Sequence, residues 1–426
     1  MIRRALPAII LSLAAAAFLL WPATRRRIVQ LPRGVSYLHT EMRVGSGTEL
    51  RGAPGGSILR FAPDFSGRAL IVVQGSDVVL HNFRMEGTRD SSDMRSPLPP
   101  YDTPFARFTQ GNGILAEDVT GLRIEKVRFR AIAGFAVLVS RGRDVAIDQV
   151  QISDSGSRNA LGRNNTTGGI LLEEGTRHFQ VTRCELRNIR GNGIWTHSLY
   201  TSPRNAEGHI ALNRFTGIGR DAIQVGHATN VLVEENAGRD IGYPAEDVDI
   251  EGRAVPVAID TSGNVDHSSY VRNRFEQISG KCIDLDGFHD GEVESNVCVN
   301  LGNFGIVMNN TNPDMQSRNI RVLDNLIDSP RFGAIFVIGT GHRIARNRLL
   351  NVNTAHCDSC YYLPEEPDML RSGIYLGRRA ERPAPSRDNR IEDNLIQGFK
   401  MATRCIAAAP DILPDWNTIR GNRCEP

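Results

Sequence analysis

Small and aliphatic residues recur in a fixed phrase along most of this chain. A small residue is followed by Ile or Val, then by any residue, then usually by another aliphatic. The phrase occurs ten times between residues 113 and 375, beginning at Gly113-Ile114, Ala136-Val137, Gly169-Ile170, Gly193-Ile194, Ala222-Ile223, Ala258-Ile259, Cys282-Ile283, Gly305-Ile306, Ala334-Ile335 and Gly373-Ile374. The shortest intervals between phrases are 23 to 24 residues. A period of this size predicts a solenoid in which each repeat adds a layer to one core.

The stretches between phrases predict strands. Residues 145–152 and 319–327 alternate apolar and polar side chains with a period of two, and no window shows a sustained helical stripe. Many of these stretches carry an Asn at one place between aliphatic pairs: Asn213, Asn236, Asn273, Asn296, Asn325, Asn347, Asn394 and Asn422. Asn tolerates the left-handed backbone of a sharp corner. Stacked on successive coils, the Asn side chains are expected to bond to one another.

This pattern resembles the right-handed parallel β-helix of the pectate-lyase-like superfamily. The resemblance covers roughly residues 35–424 and rests on the phrases together with corners such as 212–215, 272–275 and 346–349, which read Leu-Asn-Arg-Phe, Arg-Asn-Arg-Phe and Arg-Asn-Arg-Leu. It implies an all-β solenoid of about 12 coils, forming one domain over residues 35–426. The superfamily includes lyases, hydrolases, esterases, epimerases and binding proteins, so the fold does not decide the activity.

Residues 1–27 are predicted to be a signal peptide or a signal anchor. A basic start, Met-Ile-Arg-Arg, precedes an apolar run over residues 5–21. The possible cleavage site at 22–24 is poor, and three Arg residues follow it. Removal and retention as an inner-membrane anchor both remain open. In either case the β-helix is expected in the periplasm or outside the cell.

Charge and cysteine content narrow the possible partners. The 50 Lys and Arg residues nearly balance 48 Asp and Glu residues, without the basic stripe that nucleic-acid binding requires. Cys357 and Cys360 are expected to form a loop disulfide, because no second pair has zinc-site spacing. Cys282 and Cys405 stand in the small-residue column, where a free thiol acts as a small apolar group. For Cys424, pairing with Cys405 and a free thiol are both open.

Insertions predict a groove along the sheet formed by the phrases. Long inserts before the phrase occupy residues 88–112, 155–168, 240–256 and 351–372, and inserts after it occupy residues 198–208, 310–318 and 377–389. Both borders of the same parallel sheet are therefore built up. Loops on a rigid scaffold commonly carry function, so the floor of this groove is the expected site.

Strand alternation identifies the side chains on that floor. With the aliphatic residues inward, one outward column is Leu171, Trp195, Gln224, Asp260, Asp284, Val307, Phe336 and Tyr375. Two residues further on, the next column is Glu173, His197, Gly226, Ser262, Asp286, Asn309, Ile338 and Gly377. Beyond it lie Glu174, His227, His289, Asp290 and Asn310.

A carboxylate cluster in the middle of the groove is the predicted catalytic centre. Asp260 and Asp284 are expected one coil apart, about 4.8 Å by strand spacing, with Asp286 diagonal to both. Like charges so close disfavour joint ionisation, which raises one pKa and lowers the other, as a general acid and base require. The predicted substrate-binding residues are Trp195, His197, Gln224, His227, His289, Asp290, Asn309, Asn310, Tyr375 and Arg378, and no metal site is predicted.

Three functions compete for this groove. The first is an inverting glycoside hydrolase acting on an extracellular or cell-surface polysaccharide without a cofactor. Its Asp layout resembles that of polygalacturonase-type hydrolases, although their Asn-Thr-Asp, Asp-Asp, Gly-His-Gly and Arg-Ile-Lys motifs are absent. The second is a calcium-dependent polysaccharide lyase, with the Asp residues as ligands of Ca²⁺ and Lys281, His289 or Arg378 as base. The third is a glycan-binding β-helix without catalysis.

Overall fold

Strands account for most of the regular structure in this computed structural model. The structure describes residues 26–89, 100–159, 162–248, 256–309, 315–378 and 384–426, so the predicted signal segment lies outside the described residues except for Arg26 and Arg27. Two short helices, α1 (Phe105–Phe108) and α2 (Met401–Arg404), and two 3-10 turns, Ala245–Asp247 and Pro414–Trp416, accompany the strands. Across these ranges, no helix is long and apolar enough to cross a membrane.

The strands of the first half of the chain are β1 (Arg27–Gln30), β2 (Gly34–Val44), β3 (Thr48–Arg51), β4 (Ser57–His81), β5 (Arg84–Glu86), β6 (Asn112–Glu125), β7 (Arg128–Arg130), β8 (Phe135–Ser140), β9 (Arg143–Asp148), β10 (Gln151–Ser153), β11 (Gly168–Glu173), β12 (Arg177–Thr182), β13 (Glu185–Ile189), β14 (Asn192–His197), β15 (Asn205–Ala211), β16 (Arg214–Ile218), β17 (Ile223–Glu234), β18 (Ala237–Ile241) and β19 (Val257–Asp266). The strands of the second half are β20 (Ser269–Val271), β21 (Arg274–Ile278), β22 (Lys281–Asp286), β23 (Phe288–His289), β24 (Glu292–Glu294), β25 (Val297–Leu301), β26 (Ile306–Asn309), β27 (Arg321–Leu323), β28 (Leu326–Pro330), β29 (Ile335–Val337), β30 (Arg343–Ala345), β31 (Arg348–Val352), β32 (Ile374–Leu376), β33 (Arg390–Glu392), β34 (Leu395–Gly398), β35 (Ile406–Ala408), β36 (Thr418–Arg420) and β37 (Arg423–Glu425).

All strand pairings are parallel, and each strand pairs with its counterpart on the next coil. Three sheets result. The groove sheet contains β8, β11, β14, β22, β26, β29, β32 and β35, with parts of the longer strands β4, β6, β17 and β19. The second sheet runs through β9, β12, β15, β20, β24, β27, β30, β33 and β36, and the third through β5, β7, β10, β13, β16, β18, β21, β25, β28, β31, β34 and β37. The predicted right-handed parallel β-helix is thereby confirmed.

The aliphatic column of the phrase forms the centre of the core. Its members are paired in register from coil to coil. All ten are 0 % exposed: Ile114, Val137, Ile170, Ile194, Ile223, Ile259, Ile283, Ile306, Ile335 and Ile374. Each coil thus buries apolar surface against the next, which is the main source of stability in a repeat fold.

A continuous ladder of buried Asn side chains runs along the corner between the second and third sheets. The Nδ2 group of each Asn donates to Oδ1 of the next at 2.9 to 3.0 Å, from Asn213 to Asn422. The predicted ladder is confirmed, but the reason given for Asn was incomplete. The left-handed residue is the one before each Asn, for example Leu212 with φ 59° and Arg272 with φ 55°. Asn is needed at the next position because its side-chain amide both donates and accepts a hydrogen bond along the ladder.

Three disulfides form among the described residues. Cys357 pairs with Cys360 as predicted, and Cys405 pairs with Cys424. The second of these pairings was one of the two outcomes that the sequence left open. The expectation of a free thiol at Cys282 was wrong, because Cys282 pairs with Cys298 on the third sheet. The side chains of the small-residue column face the interior of the coil, where the thiol of Cys298 on the third sheet lies close enough to Cys282 to form a disulfide. Cys184 is the free, buried cysteine of the described part of the chain.

Candidate active site

The predicted floor column is present in the groove sheet. Gln224, Asp260, Asp284 and Val307 are paired in register on four successive strands. Asp260 and Asp284 therefore lie on neighbouring strands, about 4.8 Å apart along the axis. Asp286 follows two residues further along β22 and is paired with Asn309. The three predicted catalytic carboxylates thus share one part of the groove.

Lys281 supplies a positive charge inside this cluster. Its Nζ contacts Oδ2 of Asp284, and both side chains are largely buried. Burial lowers the pKa of Lys281, but Asp284, followed by Asp260 and Asp286, outweighs this effect, so that the pKa lies above its ordinary value. The sequence left the direction of this side chain open. In the structure Lys281 is a charged partner of the carboxylates.

Asp260 has the environment of a protonated carboxyl group. Burial raises its pKa well above the ordinary value, the charges of Asp221 and Asp284 raise it further, and Gln224 and Lys281 act in the opposite direction. Nε2 of Gln224 donates to Oδ2 of Asp260 at 2.6 Å. Oε1 of Gln224 accepts from Nδ2 of Asn192 at 2.6 Å, which fixes the orientation of the amide. Gln224 therefore positions Asp260.

Asp221 is a fourth carboxylate that the sequence reasoning missed. It is 4 % exposed, and its Oδ1 accepts the backbone N–H of Val257 at 3.0 Å. Burial raises its pKa to about 6, and Asp284 raises it while Arg220 and Lys281 lower it. A signal existed, because Asp221 stands two residues before Ile223 as Lys281 does before Ile283. This position lies before the aliphatic residue, whereas the predicted columns lie after it.

Trp195 lies beneath the insert that contains α1. It is 9 % exposed, and its ring centroid lies 5.0 Å from that of Phe105 and 5.2 Å from that of His197. Apolar surface of the insert therefore covers most of Trp195, and its predicted role in substrate binding stays a prediction. Burial, followed by the charge of His227, lowers the pKa of His197 to about 4.

Glu173 and Glu174 each form hydrogen bonds to a loop that borders the groove. The carboxylate of Glu173 accepts the backbone N–H groups of Phe105 and Ala106 at 2.9 and 2.8 Å. Glu174 accepts the N–H of Leu199 at 2.9 Å and the hydroxyl of Ser202. Burial raises the pKa of Glu173 to about 7. Side-chain oxygens of both residues lie within 4.8 Å of a ring nitrogen of His197. Their hydrogen bonds explain why these carboxylates are buried.

The remaining predicted histidines are also enclosed. His227 is 9 % exposed, its ring lies 5.0 Å from that of Tyr200, and burial, followed by Arg204, lowers its pKa to about 4. His289 is 3 % exposed, with Nδ1 2.8 Å from Asp290 and Nε2 3.0 Å from Asn264. Both histidines are thus largely buried, and their predicted roles in substrate binding stay predictions.

The aromatic end of the groove is closed in the same way. Tyr375 is 1 % exposed and Phe336 is 2 % exposed, and their rings stack on each other at 6.1 Å. Tyr375 is thus almost fully buried, and its predicted role in substrate binding stays a prediction. Arg378 forms an ion pair with Asp411. Asn310 lies outside the described residues.

The accessible chemistry of the floor is therefore concentrated on two strands. Asp260 and Asp286 are partly exposed, Ser262 is exposed, and Lys281 is partly exposed beside them. A partly buried site in which the pKa values of Asp221 and Asp260 are raised, with further carboxylates and a fixed ammonium group, can donate and accept a proton at the same bound molecule. We define the acidic centre as Asp221, Asp260, Lys281, Asp284 and Asp286.

Comparison with solved structures supports the fold. DFA-IIIase from Arthrobacter chlorophenolicus A6, in complex with GF2, is similar with a TM-score of 0.54 and 14% identity, covering 97% of this chain and 93% of that chain. The Dettilon tailspike protein has a TM-score of 0.54 and 11% identity, covering 92% and 63%. A GH136 lacto-N-biosidase from Eubacterium ramulus has a TM-score of 0.50 and 13% identity, covering 89% and 62%.

Sequence comparison gives the family. No curated protein matches the chain. The family described as the right handed beta helix region matches residues 103–237 and, in a second, overlapping match, residues 169–352. Because these two matches together cover more than half of the sequence, the chain belongs to the right-handed β-helix family.

Proposed function

We propose that this protein is an exported carbohydrate-active enzyme that cleaves a glycan in the groove as an inverting glycoside hydrolase. The similar structures include a lacto-N-biosidase and a DFA-IIIase in complex with GF2, which supports a glycan as substrate. Three disulfides among the described residues support export, because disulfides persist in oxidising compartments. The N-terminal apolar run provides the route, with or without retention as an anchor.

The observation that carries the proposal is the placement of Asp260 in register with the ion-paired Asp284, where burial and the neighbouring carboxylates raise the pKa of Asp260. A glycosidase needs one protonated carboxyl group to donate to the glycosidic oxygen and one carboxylate to activate water. Asp260 fills the first role because burial and two neighbouring carboxylates keep its proton bound. Asp284 contributes the charge that holds this proton and anchors Lys281.

Asp286 is the proposed general base. It stands diagonal to Asp260, on the neighbouring strand and two residues further along. Strand geometry puts that diagonal at about 8 Å, within the range of roughly 6.5 to 9.5 Å used by inverting enzymes. Water between the two carboxyls would lose its proton to Asp286 as Asp260 protonates the leaving group. Inversion of the anomeric centre follows.

The lyase alternative has less support from the same residues. A lysine that removes a proton from carbon needs a lowered pKa, and that of Lys281 is raised by the carboxylates around it. Its ammonium group also occupies the position beside Asp284 where a bound cation would neutralise the cluster. A hydrolase that needs no metal therefore fits better than a calcium-dependent lyase.

A substrate screen with three variants tests the proposal. The purified protein is incubated with a panel of polysaccharides, and both new reducing ends and ultraviolet absorbance of unsaturated products are recorded. We expect reducing ends without absorbance, and loss of activity in Asp260→Asn, Asp284→Asn and Asp286→Asn. Asp328→Asn, on the third sheet, is the matched control. Full activity in Asp260→Asn, or products with absorbance that require calcium, would reject the hydrolase.

A further inference from the structure

A row of exposed arginines lies on the third sheet, away from the groove. Arg84 is on β5, Arg128 and Arg130 are on β7, Arg187 is on β13 and Arg214 is on β16. All five are exposed, whereas the residues alternating with them, such as Phe129, are buried in the core. We call these five residues the arginine face.

Strand register brings these guanidinium groups close together. Arg84 and Arg128 are register partners on adjacent strands, about 4.8 Å apart along the axis. Arg130 and Arg187 are both partners of Ser153, one strand to either side of it, so that about 10 Å separates their strands. Positively charged arginine side chains thus recur along the axis of the solenoid at the spacing of the coils.

The fold does not use these charges for pairing. Among the described residues, Arg84, Arg128, Arg187 and Arg214 form no ion pair, and Arg130 has only a long contact of 3.9 Å with Asp154. Elsewhere on the third sheet an exposed arginine is paired, as Arg423 on β37 is with Glu425 at 2.6 Å. Like charges on neighbouring strands are destabilising. A cluster of like charges without close ion pairs costs stability, and a bound anion would offset that cost.

The surface beneath the arginines is concave, and most of the residues that line it are polar. A depression of about 280 Å³ is lined by Arg84, Arg128, Arg130 and Arg187 at its borders and by Gln151 and Ser153 between them. A second depression of about 720 Å³ shares Arg128 and Gln151 with it and adds Lys126, Arg183 and Arg214. Two acidic residues also line the first depression, Glu185 and Glu86, and the second of these is bound by Arg60.

We propose that the arginine face is a second binding site, specific for an anionic polysaccharide. Guanidinium groups bind carboxylate and sulfate in a bidentate manner, and Gln151 and Ser153 offer hydrogen bonds to sugar hydroxyls. A polymer with repeated anionic groups matches arginines repeated at the coil spacing. A polar, concave surface suits an inserted chain better than the flat headgroup layer of a bilayer. The site lies on a different sheet from the acidic centre, so it retains glycan independently of cleavage.

Titration calorimetry with polygalacturonate, heparin and neutral dextran tests this site. The wild-type protein should bind the two anionic polymers, with affinity falling as salt is added, and should not bind dextran. Arg128→Glu/Arg187→Glu should bind them about tenfold more weakly or worse, because two charge-assisted contacts become repulsive. Circular dichroism of the variant verifies its fold, which exposed positions should not disturb.

Arg348→Glu is the matched control. Arg348 is exposed on the third sheet, and its register partners are Leu326 and Leu395 rather than arginines. Arg348→Glu changes the net charge in the same direction as the double variant. An equal loss of affinity per charge in Arg348→Glu would show that binding depends only on net charge, and would overturn the site. Failure of the wild-type protein to bind either polymer, or binding only to vesicles of anionic lipid, would overturn it too. Asp284→Asn should retain binding, which separates this site from the groove.

Discussion

Asp260 illustrates how one side chain links activity and stability. Its folded pKa lies well above the ordinary value of 3.8. The folded state therefore holds the proton more tightly than the unfolded chain, and stability falls as pH rises from about 4 through the folded pKa. At neutral pH the carboxyl group of Asp260 therefore lowers the stability of the folded protein, as expected of a residue kept for catalysis.

Replacing Asp260 by Asn should separate these two effects. Turnover should fall by a factor on the order of 10² or more, because proton donation is lost. The midpoint of thermal unfolding at pH 7 should stay the same or rise, since the cost of a buried carboxyl group is removed. In the wild type, activity should decline as pH rises through the pKa of Asp260. A variant that is both inactive and markedly less stable would instead indicate a structural role.

Lys281 is expected to take the place of a metal ion. In Lys281→Ala the carboxylates of Asp284 and Asp286 lose their shared counter-charge, so the variant should be less stable than the wild type. Added Ca²⁺ should raise the unfolding temperature of Lys281→Ala but not that of the wild type. Lys400→Ala, at an exposed ion pair, is the control. Loss of wild-type activity in EDTA would contradict this role.

At the scale of elements, the Asn ladder is expected to be the most sensitive polar feature. Asn296 accepts from the backbone N and Nδ2 of Asn273 and donates to Tyr270 and Asn325. Asn296→Ala should destabilise the protein by about 3 kcal/mol or more, because several buried partners are left without a bond. Asn422→Ala, at the last rung, should cost less. Equal urea midpoints for the two variants would show that the rungs act independently of position.

The wall that contains α1 depends on one carboxylate. Glu173→Ala removes the acceptor for the N–H groups of Phe105 and Ala106, so the segment around residues 100–109 should detach more often from the sheet. Limited trypsin digestion should then cut faster after Arg107, while the β-helix itself stays resistant. Glu207→Ala, at an exposed ion pair with His178, should leave the cleavage rate unchanged. Unchanged cleavage in Glu173→Ala would show that apolar packing alone holds this wall.

For the molecule as a whole, disulfides add to the stability of the stacked coils. Cys282 and Cys298 close a loop with a sequence separation of 16, whereas Cys357 and Cys360 are separated by 3. Replacing the first pair by Ala should cost about 3 kcal/mol, and replacing the second should cost less, since loop entropy grows with length. The midpoints of urea unfolding measure both. A larger effect at the second pair would contradict the entropic explanation.

The sequence by itself determined the solenoid and much of its interior. Each coil of a solenoid must bury the same face against the next, so a repeated phrase determines which residues face the core. The aliphatic column, the Asn ladder and the register of Asp260 with Asp284 could therefore all be predicted. The choice of a parallel β-helix followed from the period of two inside a longer repeat. These are properties of spacing along the chain.

The tertiary structure decided what covers each side chain and which charges meet. Trp195, His289 and Tyr375 stand in the predicted columns, yet inserts or turns bury them, because the path of an irregular loop is not encoded in a repeat. The disulfide between Cys282 and Cys298 joins residues on different sheets. The contact of Lys281 with Asp284 depends on side-chain torsions that the sequence leaves free. Alternation along a strand gives the face of a residue, whereas accessibility and pKa depend on everything packed around it.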